Sequence, residues 1–448
     1  MADFTLRTED DGSFGIDGGL VRCSNGSVTS TDVTVQGLTF EVQDGPLQFE
    51  ANLRGGWLSA DSCDILVEGL RVSESSLTSD PRPHHVAIAG GVIFAEDSSV
   101  TLRRIEIQNY NARFSPDTIG LFSGVVSLYG GECIVDRLVM DGISVTQNRG
   151  TALYFGTTLT TGEARGSLNQ IELRNSTLDL EKADSSVALG IAYLSGDTSL
   201  EVSALTATNN RAIGDVISGG VLHLLGFRDA RWIDLRNNYV RGNQISGGAA
   251  YVSSATFSAD APTGSSVRNL IVAGNRADGG IDGTAVGAGL YIEVGSAPFL
   301  VENADFVGNR IVGRTDDSKG AGIFANKACC LSNYQFRNLS FYQNELDPLG
   351  PSAGTAIGAS FDEVVYPVHD VVNVFNTTDV DPFSGLPPFE YTTHDPRYVD
   401  IQGNDPNKWD LRLQADSPLR DAGAEDVLDA DGTRSDIGAY GGPGSAGW

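Results

Sequence analysis

A short apolar motif recurs along this chain about every 33 residues, and nothing else in the sequence narrows the choice of fold so far. It reads LTF at Leu38, LRV at Leu70, IEI at Ile105, LVM at Leu138, IEL at Ile171, LTA at Leu205, IDL at Ile233, LIV at Leu270, ADF at Ala304 and LSF at Leu339. Steps of 32, 35, 33, 33, 34, 28, 37, 34 and 35 residues separate these anchors. A period of that length marks a solenoid, in which each unit buries its apolar face only against its neighbours.

The unit is extended rather than helical. Stretches such as SVTLRRIEIQN (99 to 109) and GSLNQIELRNSTLDL (166 to 180) alternate with a period of two, and Val, Ile, Leu and Phe fill the apolar positions. No i, i+3, i+4, i+7 stripe is present, and 54 glycines would interrupt any array of helices. Strand-turn-strand layers stacked in register give a parallel β-solenoid with strands about 4.8 Å apart. Three strands per layer fit the period, so the expectation is an all-β, single-stranded parallel β-helix of about ten to eleven coils with capped ends.

Five consecutive units carry Asn at the fifth position after the anchor: Asn210, Asn238, Asn275, Asn309 and Asn344. Asn tolerates the left-handed conformation of a sharp corner, and its amide bonds to backbone there. Stacked, these amides are expected to form a structural ladder.

The chain resembles the right-handed parallel β-helix proteins of the pectate-lyase-like superfamily over roughly residues 30 to 440. The most specific segments are DPRYVD (395 to 400), DLRLQADSPLRDAG (410 to 423) and DADGTRSDIGAYGG (429 to 442), which are similar to an ending found on many bacterial extracellular β-helix proteins. The resemblance implies a right-handed coil and a closing cap. In such a cap Leu411, Leu413, Pro418, Leu419, Ile437 and Tyr440 supply apolar cover, while Arg412, Arg420 and Arg434 meet Asp410, Asp421 and Asp436. The expected organisation is an N-terminal cap over 1–30, the β-helix over 31–390, a capping segment over 391–442 and a flexible tail over 443–448.

Net charge is −28, from 58 acidic and 30 basic residues, with only Lys182, Lys319, Lys327 and Lys408 among the lysines. This field opposes nucleic acid and anionic membranes and makes an acidic polysaccharide an awkward ligand without bridging cations. No 18-residue apolar run suits a transmembrane helix, and MADFTLRTEDDGSFG lacks the pattern of a signal peptide. The expected location is extracellular or cell-surface, the signal peptide being absent from this sequence, with a monomer favoured over an oligomer.

Five cysteines are present. Cys23 and Cys63 are placed to bridge the first layers, or Cys63 and Cys133 are simply core residues; Cys329 and Cys330 form either a vicinal disulfide or one buried and one exposed thiol.

Chemistry is expected on a second recurring strand, which ends near an aromatic residue. Aligning its copies stacks Phe94, Tyr154, Tyr193, His223, Tyr251, Tyr291 and Phe324 into a column that faces either the core or solvent, because side chains alternate along a strand. Facing out, Tyr154, Tyr193, Tyr251 and Tyr291 form a platform for sugar rings. His223 or Tyr251 then serves as the base of a β-elimination, with Arg231 supplying positive charge and Asp215 and Asp229 nearby. The superfamily's lyases place Arg or Lys beside calcium-binding acids, and its hydrolases cluster aspartates. Neither pattern recurs here residue by residue.

For calcium, Asp429, Asp431 and Asp436 form the first candidate set, the alternative being an Asp-rich turn. Asp379 with Asp381, and His84 with His85, are weaker metal candidates set against ordinary turns and loops. No organic cofactor is expected. The reading is thus a polysaccharide-binding extracellular β-helix, with a polysaccharide lyase or glycoside hydrolase as the alternative and an adhesin or scaffold as the second.

Overall fold

The protein is described by a computed structural model. It covers residues 3–6, 14–17, 19–42, 50–79, 85–114, 119–147, 151–154, 156–181, 185–253, 264–280, 282–294, 298–313, 317–327, 334–346, 353–360, 368–376, 381–386 and 388–448. Cys329, Cys330, His84 and Asp379 lie outside the described residues, as do the side chains of His85 and Asp381. Two compact units are formed, the first by residues 1–200 with 210–223 and the second by 201–209 with 224–448.

Each unit is a parallel β-solenoid. In the first, one face stacks the strands Asp3–Leu6, Thr39–Val42, Ser76–Ser79, Asn111–Phe114, Ser144–Gln147, Thr177–Asp179 and Arg211–Ile213. A second face stacks Phe14–Asp17, Glu50–Arg54, His85–Ala89, Ile119–Ser123, Thr151–Tyr154, Ser185–Ala188 and Val216–Ser218. The third face holds the anchor strands. Ile105 pairs with Leu138 and Leu138 with Ile171, all essentially inaccessible to solvent. In the second unit the same column runs Leu270, Ala304, Leu339, Val372. The 33-residue period is therefore the length of one coil. Complete three-sided coils are fewer than the ten to eleven expected, because in the second unit only two described strands, Gln244–Ser246 and Thr284–Val286, stand in the second face.

Within residues 1–30, expected to form an N-terminal cap, 19–30 are described as strands of the solenoid. Val21–Ser24 and Ser27–Thr31 pair directly with Leu58–Asp61 and Asp64–Glu68 as part of the first coil. A disulfide joins Cys23 to Cys63, tying that coil to its neighbour, while Cys133 is a free, buried thiol in the strand Glu132–Asp141.

The asparagine ladder is present in hydrogen bonds. In the second unit Asn238 donates its amide to Asn275 Oδ1 at 2.9 Å, Asn275 to Asn309 at 3.0 Å, and Asn309 to Asn344 at 3.0 Å. Asn376 extends it by accepting from the Asn344 backbone N–H at 3.1 Å. In the first unit Asn210 accepts from the Ser176 backbone and donates to the Leu173 carbonyl. Of the two reasons expected for Asn, the amide that bonds to backbone holds, and the left-handed corner does not. The left-handed corner residue is the one before each amide, as at Asn237 (φ 52°), Gly274 (φ 64°), Gly308 (φ 62°) and Gln343 (φ 51°). The ladder residues themselves are chosen for their two-ended amides, which satisfy buried backbone groups in adjacent coils.

Residues 391–442, expected to be a capping segment, run together with 443–448 as a strap along the outer flank of the second unit's anchor strands. It begins where Asn373 donates to the His394 carbonyl and ends where Trp232 donates to the Gly444 carbonyl. Between these points Ile271, Ala273, Val307 and Tyr342 of the solenoid pack against Tyr398, Leu411 and Ala439 of the strap. Gly274 has no side chain because Pro406 occupies the space: a Cβ there would lie 2.1 Å from the ring. Residues 443–448, expected to be a flexible tail, are packed too, with Trp448 Nε1 donating to the Ala439 carbonyl at 2.9 Å.

Candidate functional outer corner

The aromatic column lies on the strand that enters the third face. Alternation along that strand assigns the direction of each side chain. In the first unit Phe94 shares its face with Glu96, whose side chain is 45% exposed, while Ile93 and Ala95 alternate with them and are buried in the core. In the second unit Tyr291 shares its face with the half-buried Glu293, and Leu290 and Ile292 point inward. The column therefore faces outward, yet its rings are largely covered by one another and by the adjoining corner.

The first unit's column is not a run of aromatics. Phe94 pairs with Ser127, and Ser127 with Thr160. Tyr154, aligned to this position on the pattern TALYF, belongs to the second face instead, where its partners are Phe122 and Ala188. Arg54 lies over the Phe94 ring at 5.3 Å and pairs with Glu96 at 3.4 Å. Further along, the rings of Tyr193 and His223 lie 5.2 Å apart at 38°.

His223 is 4% exposed and its Nδ1 lies 3.1 Å from the Ser218 carbonyl. A carbonyl accepts, so Nδ1 carries the proton. Burial lowers the pKa of this imidazole to about 4, and the ring is neutral at physiological pH. That is a weak base for abstracting a carbon-bound proton.

In the second unit Tyr251, Tyr291 and Phe324 pair in register. Tyr251 and Tyr291 stack with centroids 5.0 Å apart, and Tyr291 and Phe324 at 5.5 Å. Because the ring faces are used on one another, they offer edges, not a flat platform, to a ligand. Each phenol is matched to a polar side chain two residues along the next strand. Tyr251 donates its hydroxyl to Glu293, and Asn326 donates to the Tyr291 hydroxyl at 2.8 Å. Burial raises the pKa of the Glu293 carboxyl. Glu293 and Asn326 are not among the site residues expected from the sequence, although their offset of two from Tyr291 and Phe324 marks them for the same face.

Arg231 does not join Tyr251. It sits on the far arm of its strand in register with Arg268, pairs with Asp229 at 3.8 Å, and lies over the Trp232 ring at 4.8 Å. Asp215 belongs to the first unit, where its backbone N–H donates to Ser186 Oγ.

The three strap aspartates are turned toward different donors. Asp429 accepts from the Gly442 and Asp436 backbone N–H groups, Asp431 from the Thr433 backbone and hydroxyl, and Asp436 from the Asp421 backbone. Among the described residues no group of three or more His, Cys, Asp or Glu side chains converges in a manner that would hold a metal ion. Nor is any helix among them long and apolar enough to cross a membrane.

Comparison of the chain with protein-family models, with curated proteins and with solved structures gives no match.

Proposed function

We propose that this protein is a non-catalytic, extracellular or cell-surface β-solenoid that binds a neutral polysaccharide along its outer corner. The observation that carries the reading is the outward stack of Tyr251, Tyr291 and Phe324, tipped by Glu293 and Asn326 in successive coils. A row of acceptors and donors repeating at the strand spacing of about 4.8 Å matches a ligand that itself repeats hydroxyl groups along a chain. Each contact is weak in water, so affinity accumulates from engaging several coils at once.

Two features favour a neutral over an acidic glycan. The chain carries a net charge of −28, and the group at the centre of the row is a carboxylate. The Cys23–Cys63 disulfide supports an oxidising compartment, where such bonds persist. The lyase or hydrolase reading needs a base and a charge at one place. His223 is buried and only weakly basic, while Arg231 stands in a different register from Tyr251.

Affinity electrophoresis across neutral and acidic polysaccharides, with parallel assays for unsaturated products and reducing ends, tests this. The expected result is retardation by a neutral polymer without product, reduced several-fold in Glu293→Gln and Tyr251→Phe. Product formation, or retardation unchanged in both variants, would overturn the assignment.

A further inference from the structure

At the centre of the interface between strap and solenoid is an acid. Asp305 is 2% exposed, and in the anchor-strand register it stands between Ile271 and Ser340. Its carboxylate accepts from the Tyr398 hydroxyl at 2.7 Å and from the Ala439 backbone N–H at 2.9 Å, both on the strap. Ser340 completes the node by bonding to the same Tyr398 hydroxyl at 2.9 Å. A Cβ on Gly438 would lie 2.7 Å from the carboxylate, so the strap backbone closes directly over it.

We propose that Asp305 makes the strap a pH-responsive clasp, which tightens on acidification and loosens as the carboxylate ionises. Two ends of the strap, at Tyr398 and at Ala439, meet on this one side chain, so its charge state is felt along the whole segment. The solenoid elements packed against it bring Asp234 and Arg236, which pair at 2.7 Å, and Tyr342. The strap brings Tyr398 and Tyr440, with Asp410 and its partner Arg412 beyond. Arg236 is committed to Asp234 and to the Trp409 carbonyl at 2.7 Å, so that Asp305 feels its charge only weakly and has no ion pair among the described residues.

Burial is the dominant influence on this carboxyl and raises its pKa from 3.8 to about 6, against the smaller opposing effects of its hydrogen bonds. The folded pKa thus lies above that of the opened state. The stabilisation is complete below about 3.8 and is lost as pH rises through about 6. Opening of the strap should increase by up to tenfold per pH unit inside that window and level off above it.

Hydrogen exchange of strap peptides between about pH 4 and pH 7, normalised to intrinsic chemical rates, tests the clasp. In the full chain, protection of residues 398–440 should fall by about a hundredfold in total across the window. Asp305→Asn keeps the shape of the protonated acid and should remove most of that dependence. Tyr398→Phe deletes a donor that favours the ionised form, and should extend the dependence to higher pH. Equal pH profiles in the wild type and both variants, or protection that rises with pH, would overturn the proposal.

Discussion

The two units are built from the same kind of coil but clothe its outer flank differently. In the first, the residues between the buried anchors are Glu106, Val139 and Glu172, with the glutamate side chains 40% and 37% exposed. In the second the matching residues are Ile271, Asp305 and Ser340, all buried under the strap. The same backbone ladder therefore has one wet face in the first unit and none in the second. Alternation is a property of what covers a strand and not of the strand. The ladder amides nearly follow the same division: Ile143 and Ser176 occupy that corner in the first unit's coils before Asn210, whereas Asn238, Asn275, Asn309 and Asn344 run unbroken through the second.

Substitutions at matched positions break this comparison most sharply. Ile271→Asp should cost on the order of 4 kcal/mol, since it places a carboxylate against the apolar cluster of Leu411, Tyr398 and Ala439. Chemical denaturation should show the loss in the second unit's transition. Reducing the Cys23–Cys63 bridge, which spans 40 residues, should cost about 3 kcal/mol and act on the first unit alone. A shift of protection in strap peptides on reduction would contradict that confinement. Asn309→Ala removes an amide that both donates to Asn344 and accepts from Asn275, and leaves buried partners unmet, for about 2 kcal/mol. At the small end, Glu172→Ala should change stability by no more than about 0.5 kcal/mol, because its ion pair with Arg174 is exposed to solvent.

Much of this difference was legible. The anchors and the period identified the coil, since a repeated apolar pair can be buried only by stacking. The change from IEI and IEL to LIV was also in plain sight, and a run such as LIVA at 270–273 signals a strand covered on both faces. The strap's path was not legible, because a segment with apolar residues at Leu411, Leu419 and Ile437 suits an open end as well as a flank. What distinguishes them is a notch: Gly274 receives Pro406, and Gly308 receives Trp409. Those partners are more than a hundred residues apart in sequence.

The outer corner shows the same limit. Tyr251, Tyr291 and Phe324 were aligned correctly because each follows its Gly-containing corner at a constant offset. Tyr154 was misplaced because its strand carries the same pattern one face earlier, and the following segment GTTLT offers no aromatic residue to compete for the alignment. Sequence also gave no hint that the rings would stack upon each other. That turns an expected sugar platform into a row of polar tips, which is the form of the site the account rests on.

Hydroxyl-radical footprinting with and without a saturating neutral polysaccharide tests that account most directly. Protection should concentrate at Tyr251, the half-buried ring of the corner, with the strap residues Trp409 and Tyr440 unchanged. Protection along the strap instead, or none at the corner, would contradict it.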